Sequence, residues 1–211
     1  LMGNCGVGFA PVHDHDHDRL ISLMEGVEDI HDVVLTEGLE WNWNSFSDYL
    51  NILDNKGFDM DIGAQIPHGA LRLYVMGQRG ADREPATEED IKKMAELSAE
   101  AIECGAIGFT TSRTVFHKTS KGELVPSFDA AGNELIQIAR EIGKTGKGVL
   151  QLVSDFLGGY EEFKMLEKMV EASGCPISIT LAQTDGTKYD YKDLLGWIED
   201  AANRGLPVRA Q

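Results

Sequence analysis

From Thr87 onward the apolar positions repeat a pattern. Ile91, Met94, Leu97 and Ala101 recur at helical spacing behind Thr87 and the acids Glu88, Glu89 and Asp90, which predict a capped helix start. Gly105 stops that helix, and the apolar run at 106–111 predicts a buried strand. The order then returns three times. Leu135, Ile138 and Ile142 precede a strand at 149–153; Phe163, Leu166, Met169 and Val170, stopped by Gly174, precede one at 176–181; Leu194, Leu195, Ile198, Ala201 and Ala202, stopped by Gly205, precede one at 207–211. Helix, glycine and strand at intervals of roughly 30 to 40 residues predict crossover units and a parallel sheet, and the absence of a literal repeat excludes a solenoid.

The first half is less regular. Residues 18–24 and 45–53, the latter carrying Phe46, Tyr49, Leu50 and Leu53, read as helices, with loop or short turns over 34–43 between them. Residues 61–66 read as a strand ending at Pro67 and His68. No linker divides the chain, so residues 1–211 are read as part of one domain. The chain opens on Leu1 and ends within an apolar run, and the expectation is a piece of a longer protein.

Composition narrows the class. The 211 residues are 42% hydrophobic and 26% charged, ordinary for a soluble globular protein. No apolar run approaches the roughly 20 residues of a membrane span, and no basic and apolar leader stands at the start. The net charge of −16 comes without a basic stripe, which argues against nucleic acid and anionic membranes as partners and is read as a solubility device. Cys5, Cys104 and Cys175 are odd in number and widely spaced, which argues against a disulfide framework and for a reducing, cytoplasmic setting.

In parallel α/β sheets, sites form at the C-terminal ends of strands. The candidates there are Cys5, set between Gly3 and Gly6; His68 and Arg72; Thr110, Thr111, Ser112, Arg113 and His117; Gln151, Ser154 and Asp155; Thr180, Gln183, Thr184 and Asp185; and Arg209 and Gln211. A thiol on a glycine-flanked turn is a metal ligand or a nucleophile. Cys104 and Cys175 read as small packing residues, and Asp155 and Asp185 as helix caps. The loop at 113–127 is long, as functional loops after parallel strands are. The alternating run His13 to Asp18 looks metal-binding, but an extended backbone would point its side chains to opposite sides. No dinucleotide fingerprint, nucleophile elbow or Walker motif is present.

The segments Gly3–Pro11, Leu23–Asp29, Pro67–Arg72 with Val75–Gly77, and Gly105–Ser112 resemble the N-acyl-D-amino-acid deacylases (D-aminoacylases) of the amidohydrolase superfamily. The resemblance runs over nearly the whole chain. It implies part of a (β/α)8 TIM-type barrel of parallel strands, roughly strands two to seven, with terminal strands missing. It also implies metal-assisted hydrolysis of an amide bond other than a peptide bond, with zinc or another divalent transition metal as cofactor. Cys5 matches the family's cysteine metal ligand; His68, Ser112, Arg113 and His117 are expected to bind or orient a small N-acyl amino acid, Arg113 through its carboxylate. The general base is expected outside this chain. Where the family carries histidine ligands on its fifth and sixth strands, this chain has none at 149–155 and 177–183. The rival readings are a non-catalytic barrel, or an open doubly wound α/β domain, that binds a small anionic ligand.

Overall fold

Five short strands lie side by side in the order of the sequence. A computed structural model of the chain describes residues 1–182 and 189–211. Its strands are β1 (Gln65–Pro67), β2 (Gly108–Arg113), β3 (Val149–Ser154), β4 (Ile177–Ile179) and β5 (Val208–Ala210), each paired in parallel with the next. A single parallel bridge joins Met2 to Ala64 and continues the sheet beyond β1, with Met2 N–H donating to the Gly63 carbonyl at 2.8 Å and Gln65 N–H to the Met2 carbonyl at 3.0 Å.

The helices are α1 (His17–Glu28), α2 (Asp32–Gly38), α3 (Phe46–Asn55), α4 (His68–Met76), α5 (Gln78–Ala81), α6 (Glu88–Glu103), α7 (Gly132–Lys144), α8 (Tyr160–Ser173) and α9 (Tyr191–Asn203). The crossover helices pack in succession, α4 on α6, α6 on α7, α7 on α8 and α8 on α9. They therefore form one layer on one face of the sheet. An open doubly wound sheet reverses its strand order and carries helices on both faces, whereas a barrel wall keeps sequence order with helices outside. The wall seen here is of the second kind, and the open-sheet alternative is set aside. Among the described residues it does not close on itself. No helix among them is long and apolar enough to cross a membrane.

Register separates the two faces. Ile66, Phe109, Leu150, Ile177 and Val208 stand in one row, all at most 1% exposed, and face the helix layer. There they meet Leu135, Ile138, Phe163 and Leu166, also fully buried. Each such side chain contributes about 1.5–3 kcal/mol through burial. The next row, Thr110, Gln151, Ser178 and Arg209, points the other way and is polar from β2 to β5, with Pro67 at its β1 end.

The capping box expected at Thr87 is present, Thr87 and Asp90 exchanging bonds of 3.2 and 2.8 Å. Three expectations need correction. Within 34–43, expected as loop or short turns, the chain is helical in α2 as far as Gly38; that helix buries only Leu35 and leaves Val33 and Val34 exposed, so its pattern does not read as amphipathic. The strand expected at 61–66 is reduced to Gln65–Pro67; before it, Gly63 and Ala64 make only isolated contacts, with Met2 and with Ile107 N–H. His68 does not end a strand but begins α4, a helix buried on nearly every side and so without a polar face to reveal it.

Candidate active site at the strand ends

Cys5 sits on a tight turn held against β2 and α4. Gly3 and Gly6 flank it with φ of +79° and +76°. A Cβ on Gly3 would lie 2.4 Å from the Gln65 carbonyl oxygen, and one on Gly6 2.7 Å from the Ser112 nitrogen, so both positions exclude side chains on two counts. Gly6 N–H donates to Thr110 Oγ1 at 2.9 Å, and the Gly6 carbonyl accepts from Gly69 N–H at 3.0 Å. These bonds fix the half-buried thiol beside the inner face of β2.

Ser112 shares that inner face. Its hydroxyl lies 2.8 Å from His117 Nδ1, and Ser127 Oγ donates to the Ser112 carbonyl at 2.9 Å. The His117 ring also lies near enough to the Cys5 backbone for it to favour the charged imidazole. Burial pushes the His117 pKa down, outweighing the pull of Glu28, Asp155 and the Cys5 backbone. Burial, then the charge of Glu28 and a hydrogen bond to its carboxylate, push the Cys5 thiol up to about 11. Glu28, at the C-terminal end of α1, was not singled out by sequence reasoning; nothing distinguishes it from other helix acids. Beside the turn a cavity of about 250 Å³ is walled by Met2, Val7, Phe9, Met24, Phe46 and Tyr49 among others, with Glu28 at its margin.

His68 and Arg113 do not join this corner. The four side chains expected to bind substrate divide between the two faces of the sheet, because consecutive strand residues alternate. His68 is fully buried in the helix layer, with Thr111 Oγ1 2.9 Å from Nδ1 and Glu134 Oε1 2.7 Å from Nε2. Arg72 Nη1 donates to both Glu134 oxygens at 2.6 and 2.5 Å, and Nη2 to the Glu84 carbonyl at 2.6 Å. Burial pushes the His68 pKa down in spite of the Glu134 carboxylate. A neutral ring then donates from Nε2 to Glu134 and accepts at Nδ1 from Thr111, which leaves no ring nitrogen for a substrate. Arg113 also turns outward, donating from Nε to Glu162 at 2.9 Å and from Nη1 to the Ala130 carbonyl at 2.6 Å. Both residues, expected to bind substrate, are held by these partners and stand apart from the Cys5 corner.

Asp155 is not a helix cap: it accepts from Thr114 Oγ1 at 2.6 Å and Val115 N–H at 2.7 Å, tying the loop after β3 to the loop after β2. Gln183, Thr184 and Asp185 lie outside the described residues. The run at 13–18 is not extended; it forms a 3-10 turn and the first turn of α1, with His13 stacked on Tyr74 and His17 on Trp41 at centroid distances of 4.0 and 4.3 Å.

Cys5 and Glu28 offer one soft and one hard donor side by side, which fits one corner of a divalent transition-metal site. At the ends of β3 and β4, Gln151 and Thr180 are weak ligands, Ser154 is bonded to Glu162, and the Asp155 carboxylate is taken by Thr114 and Val115, so these strand ends add no free strong ligand among the described residues.

A family model described as an amidohydrolase family matches residues 1–209. A D-aminoacylase of Alcaligenes xylosoxydans xylosoxydans is 27% identical over 146 residues, covering 69% of this chain and 25% of that protein. An uncharacterized protein of Mycobacterium tuberculosis is 28% identical over 155 residues, covering 68% and 25%. Among solved structures, a D-aminoacylase with a binuclear metal centre superposes with a TM-score of 0.72 at 24% identity, covering 99% of this chain and 40% of its own. An N-acyl-D-glutamate deacylase from Bordetella bronchiseptica, complexed with zinc and a phosphonate inhibitor, superposes at 0.68 and 19% identity with the same coverage. The chain thus spans a quarter of the length of these curated relatives and 40% of the solved chains.

Proposed function

This chain belongs to the amidohydrolase family, and from that premise we propose that residues 1–211 are the central part of a catalytic barrel domain that hydrolyses the amide bond of a small N-acyl amino acid. The observation that carries the reading is the convergence of Cys5, Ser112 and His117 at the strand-end rim of the sheet. The likeness to D-aminoacylases supports the substrate class.

Cys5, with Glu28 beside it, would hold zinc or another divalent transition ion together with groups in the part of the relatives that this chain does not cover. When bound, such an ion acidifies water and polarises a carbonyl. The chain's own residues position the reaction. The Gly3–Gly6 turn sets the thiol, and Ser112 orients His117 through Nδ1. The 250 Å³ cavity offers an apolar recess of a size for an acyl group. We assign the catalytic carboxylate to the part of the relatives that this chain does not cover.

A second reading, a barrel that binds a small anionic ligand without catalysis, is favoured by the amide and hydroxyl groups that stand on β3 and β4 in place of imidazoles. Metal content and hydrolysis of N-acyl-D-amino acids, measured on the full-length protein and its Cys5→Ala variant, separate the two. The hydrolase reading expects Cys5→Ala to lose both metal and activity. Unchanged metal and hydrolysis in the variant would remove Cys5 from the site. A wild type with neither metal nor activity favours the binding protein.

A further inference from the structure

A closed circuit of hydrogen bonds runs around the Cys5 turn. Gly6 N–H donates to Thr110 Oγ1 at 2.9 Å, and the Gly6 carbonyl accepts from Gly69 N–H at 3.0 Å. A Cβ on Gly69 would lie 3.0 Å from that same oxygen, so the start of α4 stands hard against the turn. Thr110 is followed by Thr111 and Gly69 is preceded by His68, and these two side chains meet at 2.9 Å behind the strand. That last bond closes the circuit, and it stands in an apolar setting. Thr111 shares its row with Leu152 and Ile179 on the helix side of the sheet, all three at most 1% exposed. A hydroxyl there costs free energy unless it is bonded. Its partner is a fully buried imidazole that is itself held by Glu134, which Arg72 holds in turn. Apolar residues of similar volume in place of such a buried ionic set are often neutral or stabilising, so stability alone does not account for it.

We propose that His68 is a positioning residue for the Cys5 turn: held by Glu134, its ring fixes Thr111 against the start of α4 and so keeps together the two groups that bind Gly6. The inference rests on the reading of Cys5 as part of the hydrolytic site. The roles of the two ring nitrogens follow from their partners. Nε2–H donates to the Glu134 carboxylate, which can only accept, and Nδ1 then accepts from the Thr111 hydroxyl. The backbone pairing of β1 with β2 stops at Pro67, opposite Thr110. The His68–Thr111 bond carries the connection one residue further, to the position just before Ser112, whose hydroxyl meets His117. Glycines on both sides of Cys5 give the turn no side-chain anchors of its own, so its place depends on what holds Gly6.

The test is amide hydrogen exchange on the full-length protein. It compares Gly6 N–H with Leu150 N–H, which donates to the Pro176 carbonyl within the sheet at 2.9 Å. Each His68 variant keeps a different partner. An asparagine amide reaches as far as Nδ1 and serves Thr111 but not Glu134; a glutamine amide reaches as far as Nε2 and serves Glu134 but not Thr111. Thr111→Val keeps the volume and removes the bond from the other side. His68→Gln and Thr111→Val are expected to speed Gly6 exchange about three- to tenfold more than Leu150 exchange, as the loss of one hydrogen bond does, and His68→Asn by less than about twofold more. Hydrolysis of N-acetyl-D-amino acids should follow the same order, kcat falling about tenfold or more in the first two variants and recovering in His68→Asn. Equal acceleration of both amides in every variant would mean that His68 serves global stability alone and overturns the proposal. Gly6 exchange unchanged by Thr111→Val overturns it too, as does a loosened Gly6 with unchanged kcat in an active enzyme. If the His68 variants fail to fold, Thr111→Val, which leaves the Glu134 bond in place, decides alone. A wild type that neither binds metal nor cleaves amides, while Gly6 responds as expected, overturns the hydrolase reading and leaves the hold on the turn standing.

Discussion

Replacing Glu134 by glutamine should destabilise the fold by about 3–5 kcal/mol, the range for breaking a buried ion pair from one side. The carboxylate accepts from Arg72 at both oxygens and from His68 at one, at 2.5–2.7 Å, and all three side chains are at most 1% exposed. An amide of the same shape keeps one acceptor and turns a second donor toward Arg72 or His68. The guanidinium then keeps at most one oxygen of that side chain beside the Glu84 carbonyl, its Nε having no partner already. The loss therefore exceeds that of a single neutral hydrogen bond, about 0.5–1.5 kcal/mol. Urea denaturation of wild type and variant, with unchanged slope, gives the difference directly. A loss below about 1 kcal/mol would refute the view that Glu134 compensates a buried cation.

The same network sets the acid limb of stability. Burial lifts the Glu134 pKa, but hydrogen bonds from His68 and Arg72 and the charge of Arg72 outweigh it and hold the carboxyl below its ordinary value. A depressed carboxyl stabilises the fold above its unfolded pKa of about 4.3, and that stability is lost as pH falls through the lower folded value. Burial also pushes His68 down. The unfolded chain takes up a proton there from about pH 6.5 downward while the folded chain does not, so stability again falls with pH. Both groups act in one direction: the decline begins near pH 6.5 and steepens below about pH 4.3, and Glu134→Gln removes this carboxyl's share of the second part, Asp48 and Asp90 being held low as well.

Two further outcomes are expected. In metal-free buffer at pH 8, exposed Cys104 should alkylate first; Cys5, with its pKa near 11, holds on the order of one thiolate in a thousand and should react about two hundred times more slowly than an ordinary thiol. Peptide mapping by mass spectrometry reads both rates, and equal rates would contradict the desolvation of Cys5. Gly26→Ala should cost about 1–3 kcal/mol despite the better helix propensity of alanine, because its Cβ would lie 2.1 Å from the Lys118 carbonyl oxygen and 2.4 Å from the Thr119 carbonyl carbon. Ser120 N–H pins that loop to the Ser22 carbonyl at 2.9 Å, so the push reaches His117, and activity should fall with stability; a variant that melts and turns over as wild type does would show that the loop yields freely.

The parallel wall was legible because each crossover helix is amphipathic, capped by Thr87 or followed by Gly105, Gly174 or Gly205. Helix α4 was not, since its residues are buried nearly all round and leave no period to read. At the site, the rim positions were readable but their directions were not, because β2 is buried on both faces. Strict alternation was the signal that Ser112 and Arg113, as consecutive strand residues, cannot both face the same opening. Glu134 and Glu28 carry no such signal: each looks like an ordinary helix acid until the partner helix or turn brings Arg72 or Cys5 against it.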